Sequence, residues 1–148
     1  MLKNLSPLLG PDLLYTLRAM GHGDEIAIVD GNYPADNAGP ERIIRADGID
    51  ASRMLEAILS VMPLDDFVPI CAMRPQVPGK PDHLEPVMVE LARIIERHEP
   101  KVKLTGLEPA AFYDRVRRAY AVVGTSERRL YGNVVLRKGV VRPGEGPE

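Results

Sequence analysis

The chain has 148 residues, with 45% hydrophobic and 27% charged side chains, which is typical of one globular domain large enough to bury a core. The net charge of −2 gives no argument for binding nucleic acid or an anionic membrane surface. No apolar run approaches the ~20 residues of a membrane span, and the polar N-terminus is not typical of a signal peptide, so we expect a cytoplasmic protein. Cys71 is the only cysteine, which excludes a disulfide within the chain and fits a reducing compartment.

Helix and strand patterns alternate along the chain. The predicted elements are a helix from Pro11 to Gly21, strands at 24–30 and 42–46, a helix from Asp50 to Pro63, a strand at 67–73, a loop at 75–86, a helix from Pro86 to Pro100, a strand at 102–107, a helix from Pro109 to Ala119, and strands at 121–124 and 133–141. This alternation predicts a three-layer α/β/α single domain over residues 1–142 with a mixed, mainly parallel sheet. Residues 143–148 are rich in proline and glycine and are predicted to form a flexible tail.

The most informative stretch runs from Met20 to Ala35. His22 lies between two glycines before the predicted strand at 24–30, and Asp30 closes that strand. A histidine imidazole titrates near pH ~6.5, so it can give and take a proton near neutrality, and an aspartate can accept hydrogen bonds from hydroxyl groups. Structural interpretations stay open, because Gly21 is a suitable C′ residue for the first helix and Asp30 begins a sequence that is typical of a turn.

A second informative stretch is Tyr131-Gly132-Asn133, which opens the last predicted strand. Side chains alternate along a strand, so Tyr131 and Asn133 are predicted to point the same way, with an approachable backbone at Gly132 between them. A phenol beside a carboxamide suits a ligand with many hydroxyl groups. The alternative is that the three residues form only a turn before the strand.

Other kinds of site have little support in the sequence. There is no phosphate-binding glycine loop, no dinucleotide-binding motif and no nucleophile elbow. Cys71 lies inside an apolar run and is predicted to be a buried structural thiol. The order His22-x-Asp24 is not a recognised zinc-ligand spacing, so we predict no metal.

Together the two stretches resemble the fucose mutarotase and ribose pyranase family, and its fucose branch in particular. The resemblance covers nearly the whole chain, and its most specific motifs are Met-Gly-His-Gly-Asp-Glu at 20–25 and Tyr-Gly-Asn at 131–133. Further motifs are Leu-Leu-x-Pro-x-Leu-Leu at 8–14, Asp-x-Asn-Tyr-Pro-Ala at 30–35, Ile-Arg-Ala-Asp-Gly at 44–48, Pro-Leu-Asp at 63–65, Phe-Tyr-Asp-Arg at 112–115 and Leu-x-Lys-Gly at 136–139.

The resemblance implies a cofactor-free enzyme that interconverts the α and β anomers of a pyranose sugar. His22 matches the family's acid/base histidine, and Asp30, Tyr131 and Asn133 match its sugar-contacting positions. Tyr131 is also a second catalytic candidate, and Gly132 is a further candidate for substrate binding. One position departs from the pattern. Pro109 stands where the fucose branch usually has an arginine, so Glu108 is a candidate replacement contact and the identity of the aldose stays open.

Two other functions are compatible with the sequence. One is a ribose-type pyranase that converts a pyranose to a furanose, and the other is a non-catalytic sugar-binding or transport-accessory protein.

The assembly expected is a homo-oligomer. An extended strand at 24–30 spans ~20 Å, with His22 and Asp30 at its two ends, and one sugar is too small to bridge that gap. Either the chain folds back at Gly23, or the strand is shorter than predicted, or two subunits share the site. The resemblance implies a decamer of two stacked five-membered rings.

Overall fold

A computed structural model describes residues 1–146, and its framework is one six-stranded sheet. The strands are β1 (Glu25–Val29), β2 (Arg42–Ala46), β3 (Ala72–Pro75), β4 (Thr105–Leu107), β5 (Ala121–Thr125) and β6 (Val134–Arg137). The helices are α1 (Pro11–Ala19), α2 (Ala51–Leu59), α3 (Pro86–His98) and α4 (Pro109–Arg118), with a 3₁₀ turn at Ala35–Asn37. None of the helices in this described part of the chain is long and apolar enough to cross a membrane.

The sheet has the strand order β2-β5-β1-β6-β3-β4, and β6 is antiparallel to both of its neighbours. The remaining pairings are parallel, so five strands end at one edge of the sheet, which we call the carboxyl edge. β6 begins at the carboxyl edge and ends at the opposite edge, which we call the amino edge. The predicted mixed, mainly parallel sheet is confirmed.

Helices cover both faces of the sheet, which confirms the predicted three layers. Helices α1, α2 and α3 pack on one face, where Leu55 and Leu91 are buried in the same apolar cluster as Ile26. Helix α4 packs on the other face, where Phe112 and Val116 bury against a smaller apolar cluster. The alternation of β1 side chains between the two clusters explains its continuous apolar sequence.

The helix starts follow the sequence signals. Pro11, Pro86 and Pro109 each occupy the first residue of a helix, where the missing N–H costs nothing. Asp50 is the N-cap of α2, as predicted, and its carboxylate accepts a hydrogen bond of 2.8 Å from the Arg53 N–H.

Three strand predictions are wrong in their extent, and one of them is the strand predicted at 102–107, of which only Thr105–Leu107 forms β4. The strand predicted at 67–73 begins only at Ala72, because Phe67 is 64% exposed and its N–H donates to the Asp65 side chain instead of to a neighbouring strand. Pro75, predicted to start a loop, is the last residue of β3.

The strand predicted at 133–141 is also shorter, and β6 ends at Arg137. Lys138 still donates to the Asp24 carbonyl oxygen at 2.8 Å, and the backbone then leaves β1, since the Gly139 N–H bonds to the Pro63 carbonyl oxygen at 2.9 Å. The domain boundary at 142 and the flexible tail stay predictions, and residues 147 and 148 of that tail lie outside the described residues.

We expect the Asp50→Ala variant to lower the free energy of unfolding by about 1 kcal/mol, because the first turn of α2 loses its side-chain acceptor. Asp50→Asn keeps an acceptor oxygen and serves as the matched control, with a change of only a few tenths of a kcal/mol. Urea unfolding at equal protein concentration measures both. Equal losses in the two variants would show that the cap does not stabilise α2.

Candidate active site

His22 lies in the turn between α1 and β1, at the amino edge of the sheet. Gly21 follows the C-cap residue of α1, as expected for C′, but the left-handed backbone belongs to Gly23, with φ of +87°. A Cβ on Gly23 would lie 3.0 Å from Nη2 of Arg137, so only glycine lets the chain turn this close to that guanidinium. The turn is closed by a hydrogen bond of 2.8 Å from the Gly21 N–H to the Asp24 carboxylate.

The His22 ring is held by a carboxylate that is distant in the sequence. Nε2 of His22 lies 3.0 Å from Oδ1 of Asp65, and Arg137 Nε donates to Oδ2 of the same carboxylate at 2.8 Å. The Asp65 side chain is fully buried, whereas the His22 side chain is 43% exposed. Asp65 therefore orients a ring that still meets solvent, and the Phe67 ring covers part of it at a centroid distance of 5.0 Å.

The charge of Asp65 follows from its hydrogen bonds. Burial alone raises the pKa of the carboxyl, but hydrogen bonds from Arg137, from the Phe67 N–H and from His22 together lower the pKa to about 2. An ionised carboxylate only accepts hydrogen bonds, so neutral His22 donates through Nε2–H and carries its lone pair on Nδ1.

Asp30 and Asn133 form the second polar group, at the carboxyl edge. The Asp30 N–H donates to Oδ1 of Asn133 at 2.7 Å, and Nδ2 of Asn133 donates to Oδ2 of Asp30 at 2.8 Å. Both residues are buried, and the Asn32 N–H donates to the other Asp30 oxygen at 2.9 Å. The two residues predicted to contact a ligand thus orient each other first, and each Asp30 oxygen keeps one lone pair for a further donor.

Tyr131 and Gly132 lie in a turn rather than in a strand. Tyr131 has φ of +67°, and β6 begins only at Val134, so the prediction that strand alternation aligns Tyr131 with Asn133 is wrong. The alternative interpretation, that residues 131–133 form a turn before the strand, is correct for the backbone. Gly132 is nevertheless required here, because a Cβ at this position would lie 2.6 Å from Cγ of Glu127.

Glu127 anchors this turn and is a residue that sequence reasoning missed. Its buried carboxylate accepts from the backbone N–H and the guanidinium of Arg129 and from the Ala51 N–H at the start of α2. Arg129 lowers the pKa of the Glu127 carboxyl to about 2 and also pairs with Glu90 on α3. The Glu127 carbonyl oxygen accepts from the Gly31 N–H at 2.8 Å, so one residue contacts both sides of the Asp30–Asn133 pair.

Glu108 is an exposed residue at the N-cap of α4. It follows β4, which is three strands from β1 in the sheet, so its backbone lies about 14 Å from that of Asp30. The structure does not bring it next to the other predicted contacts within one chain.

The two polar groups lie at opposite edges of the sheet. Residues Asn133 and Arg137 are separated by the length of β6, four residue steps or about 14 Å. Arg137 belongs to the His22 group and Asn133 to the Asp30 group. One chain therefore carries two separate polar groups, the His22 group and the Asp30 group, at opposite edges of the sheet.

Comparisons with known proteins show to which family the chain belongs. The sequence profile of the RbsD / FucU transport protein family matches residues 3–141. The chain belongs to this family. It is 44% identical to a fucose mutarotase of Bos taurus over 96% of this chain and 95% of that protein.

Solved structures of the family share the fold. The fucose mutarotase of Streptococcus pneumoniae, in complex with L-fucose, is 39% identical, with a TM-score of 0.87 over 95% of this chain and all of that chain. RbsD of Bacillus subtilis, complexed with D-ribose, is 20% identical, with a TM-score of 0.73 over 96% of this chain and all of that chain, a likeness of fold alone.

Asp65→Asn tests the buried carboxylate. Its folded pKa of about 2 is below the unfolded value of ~3.9, so its contribution to stability is complete above pH ~4 and is lost as the pH falls toward 2. We expect the variant to be less stable than wild type at pH 6 and the difference to shrink by pH 2.5, as measured by urea unfolding. Asp66→Asn, at an exposed neighbour, is the control and should change stability little. A stability difference that does not vary with pH would contradict the hydrogen-bonded, ionised state of Asp65.

Proposed function

We propose that the protein is an aldose mutarotase that interconverts the α and β anomers of L-fucose or a related pyranose by general acid/base ring opening, without a cofactor. The bovine and streptococcal relatives, each named a fucose mutarotase, support the reaction type. The observation that carries the proposal in this chain is the half-exposed His22 ring fixed on a buried, ionised carboxylate.

His22 would act as the acid/base group. Anomer exchange requires that a proton leave the anomeric hydroxyl and that one reach the ring oxygen. Asp65 occupies Nε2–H and thereby leaves the Nδ1 lone pair for a substrate proton, while the charge of Asp65 stabilises the imidazolium formed. Protonation of the ring oxygen is assigned to the Tyr131 phenol, because Tyr131 precedes Gly132 and Asn133 in the sequence. Such positioned groups are worth ~10²–10⁴-fold in rate.

Asp30, Gly132 and Asn133 would bind the sugar hydroxyls. Asp30 has free lone pairs as an acceptor, and the Asn133 amide has a second N–H. Glu127 fills the space beside Gly132, so Gly132 would contribute through its backbone only. Mutual hydrogen bonds fix both polar groups before the ligand arrives, which reduces the ordering cost of binding. Glu108 remains a candidate contact across a subunit boundary.

The proposed site combines two copies of the chain. The separation of about 14 Å between the His22 group and the Asp30 group exceeds what one monosaccharide bridges. This separation supports a site shared between subunits, in which each group is one half-site. We propose the decamer of two five-membered rings that the resemblance implies, since a closed ring presents the amino-edge group of one copy to the carboxyl-edge group of the next. A cytoplasmic location is supported by the free, buried thiol of Cys71.

A sugar-binding accessory protein is the second candidate, favoured by the family's description as transport proteins. Such a protein would bind the sugar without accelerating exchange. A ribose-type pyranase is the third and would act on D-ribose, as the bound sugar of the distant Bacillus subtilis structure suggests. Exchange spectroscopy on a panel of aldoses separates all three.

We expect His22→Ala to lose most of the catalysed anomer exchange, roughly 10²-fold or more, while the oligomer and the thermal midpoint stay near wild type. The loss follows from the removed proton acceptor, and the small stability effect follows from the exposed loop position. Saturation transfer between the α and β anomer signals of L-fucose measures the rate.

The matched control is His83→Ala, because His83 is also half-exposed and also pairs with a carboxylate, that of Glu85. It should keep wild-type exchange. Wild-type exchange in His22→Ala with the sugar bound would place the proton chemistry elsewhere.

A further inference from the structure

Phe67 is an exposed aromatic residue that lies directly against the proposed acid/base group. It is 64% exposed, and its ring centroid is 5.0 Å from that of His22, with the two ring planes inclined at 52°. Isolated apolar side chains on a protein surface are common and need no function. Phe67 differs from them because its exposed ring borders the side chain to which the proposed mechanism gives the reacting proton.

The backbone of Phe67 is fixed by the same carboxylate that orients His22. The Phe67 N–H donates to Oδ1 of Asp65 at 3.0 Å, and Nε2 of His22 lies 3.0 Å from that same oxygen. Asp65 is fully buried and also accepts from Arg137, so the group that anchors both rings is itself fixed. The relative position of the two rings is therefore set before a ligand arrives.

The Phe67 ring has a second contact, with Arg142. The guanidinium carbon Cζ lies 5.3 Å from the ring centroid, within the range in which a cation is attracted to an aromatic ring. Nη2 of Arg142 also donates to the carboxylate of Asp66, the residue before Phe67, at 2.9 Å. Contacts with His22 and with Arg142 thus hold the ring in place while most of its surface stays exposed.

The chemistry of the sugar indicates which group meets this ring. The methyl group of L-fucose is its only apolar substituent, and it is carried by C5. That carbon is joined to the anomeric carbon through the ring oxygen alone, so the methyl group stays close to the atoms that react. A sugar whose anomeric hydroxyl lies at Nδ1 of His22 is within reach of a ring centred 5.0 Å from the imidazole. The other hydroxyl groups are the ones assigned to Asp30 and Asn133.

We propose that Phe67 is a specificity-determining residue whose ring packs against the methyl group on C5 of the pyranose bound at His22. The inference rests on the proposed function and deepens it by naming the contact that distinguishes a 6-deoxy sugar from one with a hydroxyl group on C6. Contact between the ring and the methyl group removes apolar surface of both from water, which favours binding. A hydroxyl group in the same place would lose hydrogen bonds to water that a phenyl ring cannot replace.

A different cover for the Phe67 ring is an apolar side chain of a second copy of the chain. In that case Phe67 would stabilise the assembly rather than contact the sugar. The two roles predict different results when the ring is removed. Loss of a subunit contact lowers the oligomer mass and affects every sugar alike, whereas loss of a sugar contact affects L-fucose most and leaves the assembly intact.

The test compares Phe67→Ala with wild type in the exchange assay, with L-galactose as a competitor of L-fucose. L-galactose differs from L-fucose only by its hydroxyl group on C6. We expect KM for L-fucose to rise roughly tenfold in Phe67→Ala, because one apolar contact of the methyl group is lost. The inhibition constant of L-galactose should change less than this KM, and kcat should also change less, since His22 and Asp65 are intact. The oligomer mass by light scattering should equal that of wild type.

Two further variants serve as controls. Phe67→Tyr keeps the aromatic ring and should keep the wild-type KM for L-fucose. Tyr15→Ala removes an aromatic residue of α1 that is 73% exposed, and it should leave KM for L-fucose and the inhibition constant of L-galactose unchanged.

An unchanged KM for L-fucose in Phe67→Ala would overturn the inference. Equal increases in KM and in the inhibition constant of L-galactose would also overturn it, and so would loss of the oligomer. Wild-type protein that binds L-fucose without accelerating exchange would contradict the mutarotase, and Phe67 would then be judged by the dissociation constants of the two sugars in the same variants. Wild-type protein that binds no aldose of the panel would contradict both proposals.

Discussion

The antiparallel pairing of β1 with β6 is the constraint on which the rest of the structure depends. Its register sets Glu25 opposite Arg137 at the amino edge and Ile28 opposite Val134 near the carboxyl edge. The last residue of β6 therefore contacts the carboxylate that orients His22, while the residue before β6 orients Asp30. Because the pairing is buried between helices on both faces, neither polar group can move toward the other without breaking the sheet.

Each half-site contains a buried carboxylate, and the two carboxylates are stabilised by different kinds of donor. Asp65 is compensated by a charged donor, Arg137, and holds a ring that reaches solvent. Asp30 is compensated by neutral donors, a carboxamide and a backbone N–H. The first arrangement suits proton transfer, because a fixed negative charge supports an imidazolium. The second suits recognition of a neutral ligand with hydroxyl groups, because the Asp30 acceptor is oriented without an ion pair that a sugar would have to displace.

The parts of the fold that sequence alone predicted are those set by local chemistry. The N-cap at Asp50, the prolines that begin three helices and the apolar run of β1 all act within a few residues, and the structure confirms them. The extent of β3 was mispredicted because the apolar residues at 67–71 only partly face a core.

The site was predicted less completely, because its hydrogen bonds join residues that are far apart in the sequence. His22, Asp30 and Asn133 were found from local motifs and from the family resemblance. The partners of these residues are not local, since Asp65 is 43 positions from His22 and Arg137 is 72 positions from Asp65. The predicted alignment of Tyr131 with Asn133 is wrong because strand alternation was applied to a residue whose backbone is left-handed.

Subunit complementation tests most directly whether the two half-sites of different copies form one catalytic site. His22→Ala and Asp30→Asn chains are each expected to be inactive alone, because every site lacks one half. Co-assembly in equal amounts should restore about a quarter of the wild-type anomer exchange, since random mixing pairs intact halves at that fraction of the interfaces. A mixed assembly as inactive as its parents would contradict the shared site and would require His22 and Asp30 to act on the sugar from the same chain.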